Sequence, residues 1–557
     1  MGNIKGRLDV KKLNELLCEN LSILYLTIII SLLEFTLLKK VTFIGLLISI
    51  LIIIVNIIGF NRDTIVFGGF KLFLGILFLY FFILVLYLYA FPLFPLIFSQ
   101  DFIVHLSNAL DLVNGKYQFS SLAYNPAIGL FSANFIFLAY ANGNILLTMR
   151  LVMLFVLWSA IPYVYTIGTY LGNEKFGFVT SIAYMTLNPF FYSTLVQTGL
   201  YANALGLTIA LSTIYLFIET NIKPSNLKYI LLACQSLILL LSHSTNIILL
   251  PTFLLTVLYL RFVENKNNSF KPLFSVFLAP VIILFIKPEV IFRLPSALES
   301  PFTLVQIGGD FISESLSVFP LLRQIYLEMP LGLIMFVLTF TISLYLLFRK
   351  KLYLFSIFFF WLLIIVCLSF FSTNVWRFAL LAFTPMCLLS GLVYQKIILY
   401  FYYYKIKNSF SKYISIKLLK YFGVSIIIII LVLYGAVQPY SIILTSTWSR
   451  EQQYGFYECL VWFKTNSEPD SIVISIGGHP LFFLPYIANR TFLGRFPGEK
   501  PEFAYDLLKN YSNGYVVVWN RLHPYNGSFY YVDLYKNSSL FREVWANHEV
   551  TVFKLVK

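Results

Sequence analysis

The chain has 557 residues, 59% of them hydrophobic, 18% aromatic and only 12% charged, with a mean hydropathy of +0.81. A water-soluble fold cannot hide that much apolar surface, so the composition excludes a soluble enzyme and indicates a polytopic α-helical membrane protein. The formal net charge of +15 does not imply a nucleic-acid partner, because the basic residues cluster in loops between apolar runs, as the positive-inside rule requires.

The N-terminus carries Lys5, Arg7, Lys11 and Lys12 with no small-residue cleavage site before a short apolar core, so the first apolar run reads as an anchor. Runs long enough to span a bilayer lie near 21–38, 41–60, 66–91, 146–171, 176–192, 200–218, 229–241, 246–260, 272–286, 330–348, 352–371, 378–399 and 421–443. They predict about thirteen transmembrane helices. Glu34 falls in the first of them, about a turn from Lys39 and Lys40, which predicts an interfacial ion pair. Five scattered cysteines, among them Cys234, Cys367 and Cys387 inside apolar runs, have neither metal nor disulfide spacing.

Lys and Arg set the orientation. Arg349, Lys350 and Lys351, and the series Lys405, Lys407, Lys412, Lys417 and Lys420, mark inner loops, so the N-terminus is cytoplasmic and an odd number of spans puts the tail outside. Asn489, Asn510, Asn526 and Asn537 each begin an N-x-S/T acceptor triplet, and all lie in that tail. The expected organisation is a membrane domain over residues 1–443, with outer loops 92–144 and 287–329, and an extracytoplasmic domain over 444–557. The tail alternates apolar and polar residues in short runs (471–476, 515–519, 551–555) between Gly, Pro and Asn, which predicts a small α/β or mixed domain.

The first outer loop carries the most suggestive chemistry. A helix over 101–113 puts Asp101, His105 and Asn108 on one stripe and Ile103, Leu106, Leu110 and Val113 on the other. Such an interfacial helix would turn a carboxylate, an imidazole and an amide toward water. The carboxylate can act as a general base or bind a cation; the imidazole can orient it or bind phosphate. The same spacing also fits an Asp N-cap followed by an ordinary interfacial histidine.

The D-x-x-x-H of Asp101 and His105, leading into a helix on the outer face, resembles the first acidic motif of the GT-C superfamily of membrane glycosyltransferases. The spacing is similar to that of archaeal oligosaccharyltransferases. The segment A-Y-N-P-A-I-G-L, which contains Tyr124, resembles the Tyr-Pro-rich segment that follows in that superfamily. The stretch 188–207 resembles its span-break-span unit. S-T-N-V-W-R-F-A-L-L-A-F-T-P, with Arg377, resembles its late Arg-aromatic segment, and 457–475 resembles the start of its outer domain.

The resemblance implies a sugar donor linked to polyprenyl phosphate and a glycan, lipid or protein acceptor. It places Asp101 at the catalytic centre with His105 beside it, and Arg377 on the donor phosphate, where a guanidinium binds two oxygens at once. Arg150 is a second candidate phosphate ligand, with weaker claims from Arg293 and Arg323; Asn108, His243 and Tyr124 are candidate substrate contacts. Two departures matter. Where oligosaccharyltransferases carry metal-binding acids, this chain has Ala202 and Ala204 around Asn203, so a divalent metal remains an option with its usual ligands missing. Their W-W-D-Y-G motif is also absent, which favours a single-sugar transferase. A lipid-linked glycan flippase and an inactive GT-C-like scaffold are the alternatives. Asp310 and Glu314, at helical spacing in the second outer loop after Gly308 and Gly309, could supply a second acid or form a solvated loop face, whereas His479 and His523 have no companion nucleophile or metal pattern. The Ile-, Tyr-, Asn- and Lys-rich usage points to an AT-rich prokaryote or archaeon.

Overall fold

The computed structural model of the chain describes residues 7–8, 10–58, 65–66, 75, 100–115, 126–142, 145–187, 201–265, 270–286, 321–323, 325, 330–350, 352–370, 378–379, 381–393, 450–476, 484–496, 500–520 and 529–556. It divides into two compact units, one of residues 1–85, 105–195 and 200–440, the other of 86–104, 196–199 and 441–557.

The first unit is helical. Its elements are α1 (Val10–Tyr25), α2 (Thr27–Leu38), α3 (Ile44–Ile58), α4 (Gln100–Asn114, from His105 onward), α5 (Pro126–Asn142), α6 (Ile145–Leu171), α7 (Glu174–Leu187), α8 (Tyr201–Ile222), α9 (Asn226–Ser242), α10 (Leu249–Phe262), α11 (Phe270–Ile286), α12 (Pro330–Phe348), α13 (Ser356–Ser369) and α14 (Leu381–Val393). Among the described residues three stretches are long and apolar enough to cross a bilayer: Asn14–Leu38, Leu151–Leu171 and Ala202–Ile222. Nine shorter apolar helical stretches accompany them. The expected spans near 66–91 and 421–443 lie outside the described residues. Within residues 92–144, α5 is a helix whose residues 126–134 are buried against α2, α6 and α9. Pro126 starts it, as proline does in a first turn, and its apolar side chains face all round because it has neighbours on several sides.

Small residues let these helices approach. A Cβ added to Gly168 of α6 would lie 2.7 Å from the Gly177 Cα of α7, and one on Gly391 of α14 would lie 2.3 Å from the Phe176 ring. Polar bonds set the register of the innermost helices. Ser22 of α1 meets Tyr163 of α6 at 3.0 Å and Ser212 of α8 at 2.9 Å, while Gln235 of α9 donates to the Ser22 carbonyl at 2.7 Å. At the ends of the same four helices lies an ion cluster. Glu219 of α8 is fully buried and pairs with Lys228 of α9 at 2.6 Å; Lys223 pairs with Glu15 of α1 at 2.8 Å. The Tyr170 phenol of α6 sits between Glu15, at 2.5 Å, and Glu219.

The second unit holds α15 (Arg450–Asn466), α16 (Pro501–Leu508), α17 (Phe529–Lys536) and a five-stranded sheet: β1 (Ile472–Ile476), β2 (Thr491–Phe496), β3 (Gly514–Trp519), β4 (Phe541–Ala546) and β5 (Val550–Leu555). The strand order is β2-β1-β3-β5-β4, with the first two pairings parallel and the last two antiparallel. One face packs Ile474, Val516, Val518 and Phe553 against Ala504 and Leu508 of α16 and Tyr535 of α17. The other face receives α15, whose Phe456 and Phe463 meet Trp519 and Tyr515 edge-on at 5.2 and 5.5 Å. The three apolar runs expected in the tail are the three inner strands. Asn489, Asn510 and Asn537 are exposed; Asn526 lies outside the described residues.

Removing one partner of a buried ion pair strands the other. Lys228→Met leaves Glu219 with only the more distant Lys223, at 3.8 Å, and should cost about 3 kcal/mol. Thermal unfolding in detergent should show a lower midpoint for Lys228→Met, largely restored when Glu219→Met is added.

Candidate functional site

Two corners of the helical unit converge on α4. At the first, α2 ends with Lys39 in the left-handed region, φ 59°, its N–H donating to Phe35. The chain then turns so that Thr42 donates from both its backbone N–H and its hydroxyl to the Glu34 carboxylate, at 2.7 and 2.8 Å. Glu34 is therefore held by Thr42 rather than by the ion pair expected with Lys39 and Lys40, both of which are exposed. Between these residues the Val41 N–H donates to the Leu112 carbonyl of α4 at 2.9 Å. At α4's end Gly115 takes φ +68°, where a Cβ would come within 3.5 Å of the Lys39 carbonyl. The second corner is Gly129 of α5, whose missing side chain leaves room for Asn108 and Leu112 of α4; an added Cβ would sit 3.5 Å from the Asn108 Cβ.

With cover on two sides, α4 is not the half-wet helix that its periodicity predicts. Leu106 and Leu110 of the expected apolar stripe are buried and Val113 is half-buried, but Ala109, Leu112 and His105, the last only 2% exposed, are buried as well, while Asn108 is half-buried. Burial pushes the His105 imidazole down to about 4, so it is neutral at pH 7. Its Nδ1 is buried with no hydrogen-bond partner among the described residues. A neutral imidazole can hold one proton and accept another at fixed positions, which suits it to orienting a carboxylate or a hydroxyl. Asp101 lies within α4, four residues before His105.

The remaining candidates are spread along the chain. Arg150 lies in the second turn of α6. Arg377 and Tyr124, with Arg293, Asp310, Glu314, His479 and His523, fall outside the described residues. Arg323 is half-buried and engaged with a partner. His243 follows α9 in extended conformation and is buried, its carbonyl accepting from the Asn246 N–H at 3.0 Å. Asn246 reaches back to the Leu239 carbonyl at 3.1 Å, in space that Gly206 of α8 leaves open. This is a buried polar turn rather than a wet one. Ala202 and Ala204 are buried in the first turn of α8, so the turn that would bring metal-binding acids presents methyl groups and does not fit a metal. The Glu15–Tyr170–Glu219 cluster escaped sequence reasoning because its members are scattered over more than 200 residues. Charged residues recurring near the ends of apolar runs were the available signal.

The buried imidazole gives a pH signature. A histidine held below its unfolded value of 6.5 binds fewer protons folded than unfolded, so it favours the fold above that value and loses this contribution as pH falls through 6.5 toward 4. Unfolding midpoints measured from pH 8 to pH 4 should fall more steeply for the wild type than for His105→Asn, which has no titrating group there.

No family profile and no curated protein matches the sequence. The structure does resemble a solved one: the crystal structure of ArnT from Cupriavidus metallidurans bound to undecaprenyl phosphate. The TM-score is 0.52 at 10% identity, over 88% of this chain and 98% of that one. With so few identities the likeness is one of fold, and it extends over nearly the full length of both chains. The chain shares the fold of that ArnT structure.

Proposed function

We propose that this chain is a membrane glycosyltransferase that moves a sugar from a polyprenyl-phosphate donor to an acceptor on the extracytoplasmic face. The observation that carries the reading is the fold shared with a protein crystallised on undecaprenyl phosphate. The D-x-x-x-H of Asp101 and His105 on α4 supports it. In this reading about thirteen helices span the bilayer, the N-terminus is cytoplasmic, residues 1–443 form the membrane domain and residues 444–557 an extracytoplasmic one. The polyprenyl tail stays in lipid while its phosphate reaches the interfacial site.

The acceptor hydroxyl oxygen attacks the anomeric carbon as the bond from that carbon to the phosphate oxygen breaks. Asp101 takes the hydroxyl proton, and the polyprenyl phosphate leaves as an anion beside Arg377, with Arg150 as a second cation. His105, uncharged, orients the acid; Asn108, Tyr124 and His243 contact the substrates. No step is routed through a metal, because the acidic ligands usual at the Ala202–Ala204 turn are missing there.

Mass spectrometry of surface glycans and lipid-linked sugars should compare wild type, a null strain and Asp101→Asn at equal protein level. The null and Asp101→Asn should lose the same sugar and accumulate its lipid donor. Losing a general base costs about 10²–10⁴-fold in rate. A glycan changed in the null but intact in Asp101→Asn would contradict the transferase reading and leave a flippase or scaffold.

A further inference from the structure

The second unit contains a cleft that the transfer reaction does not use. It lies between α15 and the edge strand β4, has a volume of about 450 Å³, and is lined by Tyr457, Glu458, Val461, Trp462, Thr465 and Trp545. That volume falls in the roughly 300–1,000 Å³ range of small-molecule sites. The α15 residues among these recur at helical spacing on the side turned away from the sheet core, where Phe456, Cys459 and Phe463 are buried.

Trp545 reaches this cleft only because β4 breaks its own alternation. Phe541 and Glu543 point to the opposite face: Phe541 meets the Tyr535 ring at 5.3 Å, and Glu543 pairs with Lys536 of α17 at 3.2 Å. Strict alternation would send Trp545 there too. A bulge between Glu543 and Trp545 shifts the register, so that Trp545 pairs with Val552 of β5 and turns to the α15 side. There it stacks on Trp462, with ring centroids 6.0 Å apart and planes 24° from parallel. Both tryptophans remain partly exposed, and Tyr457 is 37% exposed. The sheet thus deviates from regularity at an edge to hold a flat aromatic surface in solvent.

Among the described lining residues the one charge is that of Glu458. Glu458 is exposed and held in place by Asn547, which donates to it at 3.0 Å. The Thr465 hydroxyl donates back into its own helix and accepts from the Asn466 amide at 2.7 Å, which leaves it one further lone pair to accept with. With one carboxylate and no cation among its lining residues, the cleft repels phosphates and other anions. A sugar ring has an apolar face of C–H groups and a rim of hydroxyls that donate to carboxylate and hydroxyl oxygens, which matches an aromatic floor with acceptors at its edge.

We propose that the α15–β4 cleft is a binding site for a neutral saccharide, with the Trp462–Trp545 pair as its floor, Tyr457 as its wall and Glu458 and Thr465 as hydrogen-bond acceptors. The choice of a saccharide rests on the glycosyltransferase reading, under which the site holds the acceptor glycan near the membrane surface.

The test uses full-length protein in lipid nanodiscs and saturation-transfer NMR. The probes are maltotriose, cellotriose, chitotriose and mannotriose, with tetramethylammonium and inorganic phosphate as counter-probes. At least one trisaccharide should bind, with transfer strongest at ring C–H protons. Trp545→Ala should weaken binding by about tenfold, and Trp545→Phe should retain most of it. Thr465→Arg, at an exposed position that leaves the core untouched, should block the cleft, so the test does not depend on the tryptophan variants folding. Failure of all four trisaccharides, survival of binding in both Trp545→Ala and Thr465→Arg, or uptake of tetramethylammonium in their place overturns the proposal. Saccharide binding that persists when Asp101→Asn leaves surface glycans intact would keep this site and remove the transferase reading. Asp101-dependent transfer without saccharide binding would do the reverse.

Discussion

Glu219 has no contact with solvent, and the ends of four helices are arranged around that fact. An ion taken from water costs several kcal/mol unless it is paired and hydrogen-bonded. Lys228 from α9 supplies the pair, Tyr170 from α6 the hydrogen bond, and Glu15 from α1 ties in through Tyr170 and Lys223. Apolar contact alone selects register weakly among helices in lipid, where the surrounding chains are as apolar as the side chains. A buried carboxylate is selective, because sliding any of these helices by one turn would leave it unpaired. Further along the same helices, Ser22 joins Tyr163, Ser212 and Gln235 in a second fixed level.

That registration carries through to α4. Fixing α1 fixes α2, which nearly continues it, and hence the corner where Thr42 closes on Glu34. Val41 and the left-handed Gly115 hold α4 against that corner, and Gly129 lets α5 close on its far side. The outcome is an imidazole kept neutral by burial rather than by a partner. A neutral histidine can orient an acid without competing with a phosphate for cations. In the second unit an exposed ion pair does comparable work: Lys554 and Tyr515 hydrogen-bond Glu468 at 2.6 Å each, and hold its carboxyl down at about 2.

Helices and inner strands were legible because their patterns are local. Long apolar runs announce helices, and the tail's three alternating runs are the three inner strands. The edge strands were not, since T-F-L-G-R-F and F-R-E-V-W-A carry a glycine or charges that protect an edge and blur the alternation. The Asp101–His105 spacing was visible, but Gly129 and Val41 pack this helix at Asn108 and Leu112, contacts that periodicity cannot reveal. The aromatic cleft was invisible for a similar reason, since Trp462 and Trp545 meet only through a bulge and a return of more than eighty residues.

The most direct test of the central claim is transfer by the purified protein in nanodiscs. Polyprenyl-phosphoryl hexose, labelled in the sugar, would be supplied with glycan acceptor extracted from the null strain. The account predicts that label moves to the acceptor while free polyprenyl phosphate accumulates in equal amount, and that Asp101→Asn abolishes both. Label that stays on the donor, or moves equally well with Asp101→Asn, would contradict it.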